Sequence, residues 1–329
     1  MPQLLGKEIG PIGFGMMGFT WRADATPPEQ AIETLRTALD AGVNFWNGGE
    51  FYGTPEYNSL VLLERYFARY PDDADRVVVS IKGGVSFETL LPDGSPEGTR
   101  RSLDNCLRLL KGRKKLDIFE FARRDQSVSM KSTFEVIENE YVKTGKLGGI
   151  SLSEVRAETI HEAAKITKVV AVEVELSLFS RDVLDNGVAD ACAQYGIPLV
   201  AYSPIGRGLL SGHIRTRADV PRHCLSYPMF QEENLANNLL LVRQIDEMAR
   251  AKGVTAAQLA INWTRALSRW AGAGRPTIIP IPGATTPARV RENAQVVEIR
   301  DEEMDAIERT LRGFKTAGDR YPAHIPVNT

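Results

Sequence analysis

AIETLRTALDAGVNFWN, residues 31–47, decides the fold. The first twelve residues read as a helix that stops at Gly42, because glycine accepts the left-handed conformation at a helix end without steric cost. The five that follow, VNFWN, read as a strand: apolar, rich in aromatic and β-branched residues and bounded by turn formers. A helix that gives way to a buried strand within one residue is half of a βαβ unit. Working outward, the same alternation recurs along the chain. The strands read as EIGPIGFG (8–15), VNFWN (43–47), VVVSIK (77–82), KLDIFEFA (115–122), GGISLS (148–153), VVAVEVEL (169–176), PLVAYS (198–203) and TIIPIPG (277–283). Thr26-Pro27-Pro28-Glu29 has the capping-box form, and Thr54-Pro55-Glu56 and Ser95-Pro96-Glu97 are read as opening the next helices in the same way.

Eight strands, each followed by a helix, predict a closed (β/α)8 barrel occupying residues 1–329 as a single domain. The rival is an open doubly wound sheet. Gly13-Phe14-Gly15-Met16-Met17-Gly18 is formally GxGxxG. In a true fingerprint the helix opens inside the glycine run, whereas here the next helix is not expected before Thr26. The longest irregular stretch, Ile205 to Glu233, follows the seventh strand. In a barrel it lies over the C-terminal face, where active sites form.

The bulk properties narrow the function classes. A net charge of −2 over 329 residues gives no electrostatic reason for a nucleic-acid partner. No apolar run is long enough to cross a bilayer, and MPQLLGKEIG lacks the basic and apolar regions of a signal peptide. Cys106, Cys192 and Cys224 are odd in number and widely spaced, as reduced cytosolic thiols would be. His161, His213, His223 and His324 form no metal-binding pair, so no metal is expected.

Chemistry is expected where strands end. The second strand runs out into Gly48-Gly49-Glu50-Phe51-Tyr52-Gly53 and the third ends at Lys82-Gly83-Gly84. Neighbouring strand ends bring Tyr52 and Lys82 to one mouth. A phenol ordinarily titrates near 10, and a nearby ammonium lowers that value, so the pair can protonate an alkoxide formed when hydride adds to a carbonyl. The plainer reading is a packed tyrosine and an unrelated lysine.

Val43 through Gly53 resembles the aldo-keto reductase signature around the catalytic tyrosine, and Val79-Ser80-Ile81-Lys82-Gly83-Gly84 resembles that family's lysine strand. Gly145 through Glu154, Ala201 through Leu210, and Ile281-Pro282-Gly283 through Arg289, Glu292 and Asn293 are similar to further motifs of the family, in register along almost the whole chain. Within it, NGGEFYG and Glu173 through Arg181 most resemble the pyridoxal reductase subgroup. The resemblance implies an NADPH-dependent reduction of a small-molecule aldehyde or ketone, with Tyr52 as general acid, Lys82 as its partner and Asn47 beside them. It also implies a second possibility, a nucleotide-binding regulatory subunit like the potassium-channel β subunits that share the fold. Schiff-base chemistry at Lys82 is a third, and leaves the nucleotide motif unexplained.

Two positions depart from the family pattern. Its aspartate is Asn47 here and its histidine is Ala122. Asn47 can hydrogen-bond Lys82 without neutralising it. Ala122 offers no hydrogen bond and leaves space for a bulkier ring, for water or for Arg123. Glu120 shares a strand face with Ala122, as Glu173 does with Glu175. Glu120 could replace the aspartate as partner of Lys82, although pairing with a basic residue lower in the barrel is the favoured expectation.

For the cofactor, the resemblance assigns Ser153 and Glu173 to the nicotinamide carboxamide and gives Tyr202 as the stacking aromatic; the alternative for Tyr202 is an ordinary core ring. Gly15 and Met16 belong to the same implied site. The loop Ser203, Pro204, Ile205, Gly206, Arg207, Gly208 offers open backbone and a cation for phosphate. Gly283 and Thr285 lead into a helix beginning near Pro287, whose N-terminus favours an anion. Arg289 suits a ribose 2′-phosphate, which favours NADPH over NADH, and Glu292 and Asn293 resemble adenine contacts. Trp21, Phe51 and, loosely, Phe230 are expected around the substrate with Ala122.

Overall fold

The computed structural model describes residues 1–270, 274–323, 325, 327 and 329; His324 lies outside them. Eight parallel strands form one sheet in sequence order: β1 (Phe14–Gly15), β2 (Phe45–Gly49), β3 (Val78–Gly83), β4 (Leu116–Phe121), β5 (Leu147–Ser153), β6 (Val169–Glu175), β7 (Leu199–Tyr202) and β8 (Ile278–Ile281). The sheet closes on itself. Gly13 N donates to Pro280 O at 2.9 Å, Gly15 N donates to Pro282 O at 3.2 Å, and Gly15 bridges Gly283. The architecture is a (β/α)8 barrel.

Helices wrap the outside: α1 (Pro28–Asp40), α2 (Ser59–Arg69), α3 (Pro96–Leu110), α4 (Met130–Ile137), α5 (Ala157–Ile166), α6 (Val188–Gln194), α7 (Glu232–Lys252), α8 (Ala256–Trp270), α9 (Pro287–Asn293) and α10 (Asp301–Arg312). Their apolar faces and the outward side chains of the strands form one large core that includes Leu35, Trp46, Val79, Ile81, Phe119, Ile150 and Trp263. No helix among the described residues is long and apolar enough to cross a membrane.

Several expectations need correction. The strand read over 8–15 divides. Lys7–Glu8 pairs antiparallel with Gln3–Leu4, and only Phe14–Gly15 joins the barrel. Leu5 and Gly6, both at positive φ, make the tight turn of this hairpin. It plugs the N-terminal end, with Leu4 and Ile9 packed inside. A helical turn, Met17–Thr20, forms before Thr26, within the glycine run. Thr26 does not cap α1, whose N-cap is Pro27 without a side-chain bond. Thr54-Pro55-Glu56 opens no helix. It turns a second hairpin, Gly53–Thr54 against Tyr57–Asn58, and Asn58 Oδ1 caps α2 by accepting from Leu60 N and Val61 N. Ser95 caps α3 as read, its hydroxyl accepting from Gly98 N at 3.0 Å.

Strand parity divides the lumen. Toward the N-terminal end, Phe45, Val78, Ile118, Val200 and Ile279 pack together in an apolar layer. Two residues further along the same inward faces stand Asn47, Ser80, Glu120 and Tyr202, followed by Lys82 on β3. β6 adds Glu173 and Glu175, and β5 adds Ser151 and Ser153. The polar layer is therefore set at the C-terminal mouth.

Candidate active site

The strand register brings Lys82 beside Glu120, Glu120 beside Ser151, and Ser153 beside Glu173. Lys82 is 5% exposed, and its Nζ lies 2.8 Å from Glu120 Oε1. The same nitrogen donates to Asn47 Oδ1 at 3.1 Å and to Glu173 Oε1 in a still closer contact. Asn47 Nδ2 completes the ring by donating to Glu173 Oε2 at 2.6 Å. The favoured expectation for Glu120, a basic partner lower in the barrel, is thus overturned: it pairs with Lys82. Burial alone pulls the lysine's proton affinity down, but Glu120 and Glu173 outweigh burial and hold it above the usual lysine range. For Glu173 burial and the neighbouring Glu120 push the carboxyl up, against Lys82, and the net direction is upward.

Tyr52 reaches this mouth on the turn after β2. A side chain at Gly49 would come within 2.7 Å of the Tyr52 ring, so glycine there lets the ring fold back over the strand end. Tyr52 stacks on Trp21 with centroids 4.9 Å apart and meets Phe51 edge-on at 5.0 Å. Its phenol is buried and feels the Lys82 ammonium. The expected acidification does not result, because burial pushes the phenol well above 10, Lys82 pulls it only part of the way back, and Glu173 and Glu120 oppose that pull. Ala122 is 5% exposed, and Arg123 folds back to donate to the Ala122 carbonyl at 2.5 Å. Phe230, placed loosely with this pocket, is instead fully buried in the outer core.

Glu50 sits two residues before Tyr52 and is 1% exposed. It accepts from Asn105 Nδ2 at 2.6 Å and from the Ser102 hydroxyl, both on α3, while Ser102 Oγ accepts from Gly84 N at 2.9 Å. Glu50 therefore ties the Tyr52 turn to the turn after Lys82. Burial pushes its carboxyl up to about 7, against those hydrogen bonds and Arg101.

A second charged tier lies at the rim. Arg207 grips Glu175, with Nη2 2.7 Å from Oε2 and Nε 3.2 Å from Oε1, and its guanidinium lies 4.2 and 4.3 Å from the Tyr227 and Tyr321 ring centres. Arg320 reaches Glu154 at 3.2 Å and Glu175 at 3.3 Å. The Tyr202 hydroxyl donates to Glu154 Oε1 at 2.9 Å and meets the Tyr321 hydroxyl at 2.8 Å. Thr329 N donates to the Glu154 carbonyl at 2.8 Å. Arg207 was read as a phosphate ligand, and the structure ties it to Glu175. Glu173 was read as a carboxamide partner, and both its oxygens are committed to Lys82 and Asn47. Arg320 and Tyr321 were not anticipated. Their only signal was indirect: four inward glutamates on β4 to β6 and the turn after β5 need more cations than Lys82 supplies.

The nucleotide positions assemble around β7 and β8. Ser203, Gly206, Arg207 and Gly208 all have positive φ, with values of 53°, 60°, 54° and 98°. That winds the loop tightly between Pro204 and Ile205 on one side and Gly208 on the other. Thr286 caps α9 by accepting from Arg289 N at 3.4 Å, and Thr285 O accepts from Gln30 Nε2 at 2.8 Å. Arg289 pairs with Glu292 at 2.6 Å, and Asn293 is buried beside them. Gly15 bridges Gly283, whereas the Met16 side chain is fully buried. A nicotinamide nucleotide fits on one point in particular. The Ser153 hydroxyl, at the mouth end of β5, is buried without a hydrogen-bond partner among the described residues, an unmet requirement that an amide group would satisfy. Among the described residues no cluster of side chains could hold a metal ion.

Comparison with known proteins bears on the family and the fold. The model of the aldo/keto reductase family matches residues 11–312. A Schizosaccharomyces pombe protein described as "Probable pyridoxal reductase 2" is 38% identical over 98% of this chain and 97% of its own length. A glycerol dehydrogenase from Gluconobacter oxydans superposes with a TM-score of 0.81 at 19% identity, covering 98% of both chains. A thermostable aldo-keto reductase crystallised with epalrestat superposes at 0.72 with 22% identity, over 94% of this chain and 98% of its own.

Proposed function

The chain belongs to the aldo/keto reductase family, and on that premise we propose that it uses NADPH to reduce a small aldehyde or ketone, pyridoxal among them, to the alcohol. The observation that carries this reading is the buried Lys82 ammonium at the mouth where Tyr52 points. Bound NADPH supplies hydride to the carbonyl carbon. Ser153 would hold its carboxamide, Tyr202 its ring face, the 203–208 loop and Thr285 its phosphates, and Arg289, released from Glu292, the 2′-phosphate. Tyr52 gives its proton to the carbonyl oxygen. An alkoxide is far more basic than a phenolate, so this transfer runs downhill even for a phenol held above its usual range. Lys82 stabilises the phenolate left behind. Trp21, Phe51 and the space beside Ala122 would form the substrate's apolar walls. One domain in the cytosol, without nucleic-acid or membrane partners, completes the reading.

The test is loss of NADPH absorbance with a panel of aldehydes that includes pyridoxal. Tyr52→Phe is expected to lower kcat by about 10²- to 10⁴-fold, the range of general acid catalysis. Nucleotide binding without turnover of any aldehyde overturns the proposal in favour of a regulatory subunit.

A further inference from the structure

Two carboxyls, Glu120 from β4 and Glu173 from β6, contact one ammonium. All three groups are buried, at 1%, 2% and 5% exposure. With both carboxyls ionised the trio carries a net negative charge inside the barrel. A buried charge without a counter-charge costs several kcal/mol, and a proton taken up by one carboxyl removes that cost. The hydrogen-bond inventory agrees. Lys82 donates to Asn47 and Glu173, while Glu120 Oε1, 2.8 Å from the same nitrogen, is buried without a hydrogen bond among the described residues and can carry a proton. Both carboxyls abut the same nitrogen and are therefore neighbours, and a proton between them satisfies oxygens that otherwise repel. Burial and mutual repulsion act in this same direction on Glu173.

We propose that Glu120 and Glu173 hold one proton between them and pass it through Lys82 to Tyr52 in each catalytic cycle. The inference rests on the reductase reading of the site. The Tyr52 O–H bond breaks as its proton goes to the substrate oxygen. The phenolate then takes a proton from Lys82, and the amine so formed takes the carboxyl proton. At the end Tyr52 and Lys82 are restored, both carboxylates are ionised, and solvent reloads the pair. No electrons change hands in these steps. A store inside the barrel matters because Tyr52 is only 8% exposed and its phenol is buried within the electrostatic reach of Tyr321. Glu120 and Glu173 act through Lys82 and are positioning residues. The other groups facing them are Asn47 on β2, Ser80 on β3 at 3.4 Å from Glu120, and Tyr52. Arg123, Glu154, Tyr202 and Tyr321 stand further out.

Infrared spectroscopy of the full-length Glu50→Gln protein without substrate reads the shared proton apart from the Glu50 carboxyl, which itself titrates at about 7. A carboxylic-acid C=O band is expected between about pH 6 and 8, shifting in D2O and disappearing as the pH rises further. Glu120→Gln and Glu173→Gln should each abolish it, because the remaining carboxylate then pairs one-to-one with Lys82 and stays ionised. In turnover, each variant should lose kcat on the order of a hundredfold, the lower end for proton-transfer assistance. KM should change little, and the fall of kcat at high pH should vanish. Absence of the band from the Glu50→Gln protein, or a band that survives both further substitutions, overturns the shared proton while leaving turnover untouched. A band present in an enzyme that reduces no carbonyl overturns instead the reductase reading and the relay with it.

Discussion

The lower and upper halves of the barrel lumen are built by the same strands, with the same parity and the same degree of burial, and they do opposite things. Below, Phe45, Val78, Ile118, Val200 and Ile279 are each 0–1% exposed and pack into one apolar cluster. Above, Asn47, Ser80, Lys82, Glu120 and Glu173 are 1–5% exposed and meet one another through ion pairs and hydrogen bonds. Burying an aliphatic or aromatic side chain stabilises by roughly 1.5–3 kcal/mol. Burying a charged one costs free energy unless its partner is in place, and replacing such a pair by apolar residues is often neutral or stabilising. The upper half is thus weak ground for stability. Two residues along a strand separate a layer that holds the barrel together from one that does chemistry.

Breaking the lower half should show this most strongly. Phe45→Ala is expected to cost about 3–5 kcal/mol in denaturant unfolding, as large-to-small core substitutions do, while kcat at a temperature where the variant is folded stays near wild type. A large fall in kcat without loss of stability would dissolve the division.

The next effect sits at the boundary of the upper half. Glu50 titrates at about 7 in the folded chain instead of near 4.5. The folded state therefore binds this proton more tightly than the unfolded one. The stabilisation is fully present below about pH 4.5 and is lost as pH rises through about 7. At about 1.4 kcal/mol per tenfold change in proton affinity, the loss is on the order of 3 kcal/mol. Relative to Glu50→Gln, the wild type should lose stability between about pH 5 and 8; parallel stability profiles for the two proteins would remove Glu50 as the cause.

The smallest effect lies furthest out. Arg289→Ala should weaken NADPH binding about tenfold, some 1.4 kcal/mol, and NADH binding hardly at all. Equal losses by fluorescence titration would mean that the Arg289–Glu292 pair serves only to staple α9.

Much of this was legible in the chain. Eight strand-like runs alternating with helical ones, VNFWN after Gly42 among them, carried the barrel. Parity put Glu120 on one strand face with Ala122 and Glu173 on one face with Glu175, and the barrel turned those faces inward. The end of the second strand at NGGEFYG put Tyr52 at the mouth, and the fold-back of its ring over Gly49 emerged only in three dimensions. What was misread was of two sorts. Thr54-Pro55-Glu56 looks locally like a helix start, yet the hairpin's cross-strand pairing takes it, and Asn58 supplies the cap instead. The acidity of Tyr52 was argued from one neighbour, Lys82, when burial and two carboxylates also act on the phenol.

By itself the sequence determined which side chains share a strand face, because alternation along a strand is a local property of the extended backbone. It could not determine which carboxylate meets which cation. Glu173 and Lys82 are 91 residues apart, and Arg320 and Glu154 are 166 apart. Those pairings depend on how the closed sheet staggers its strands and where the segment after α10 crosses the mouth. Only the tertiary structure sets these, because the lowest-energy pairing of buried charges is a property of the whole enclosure and not of any strand within it.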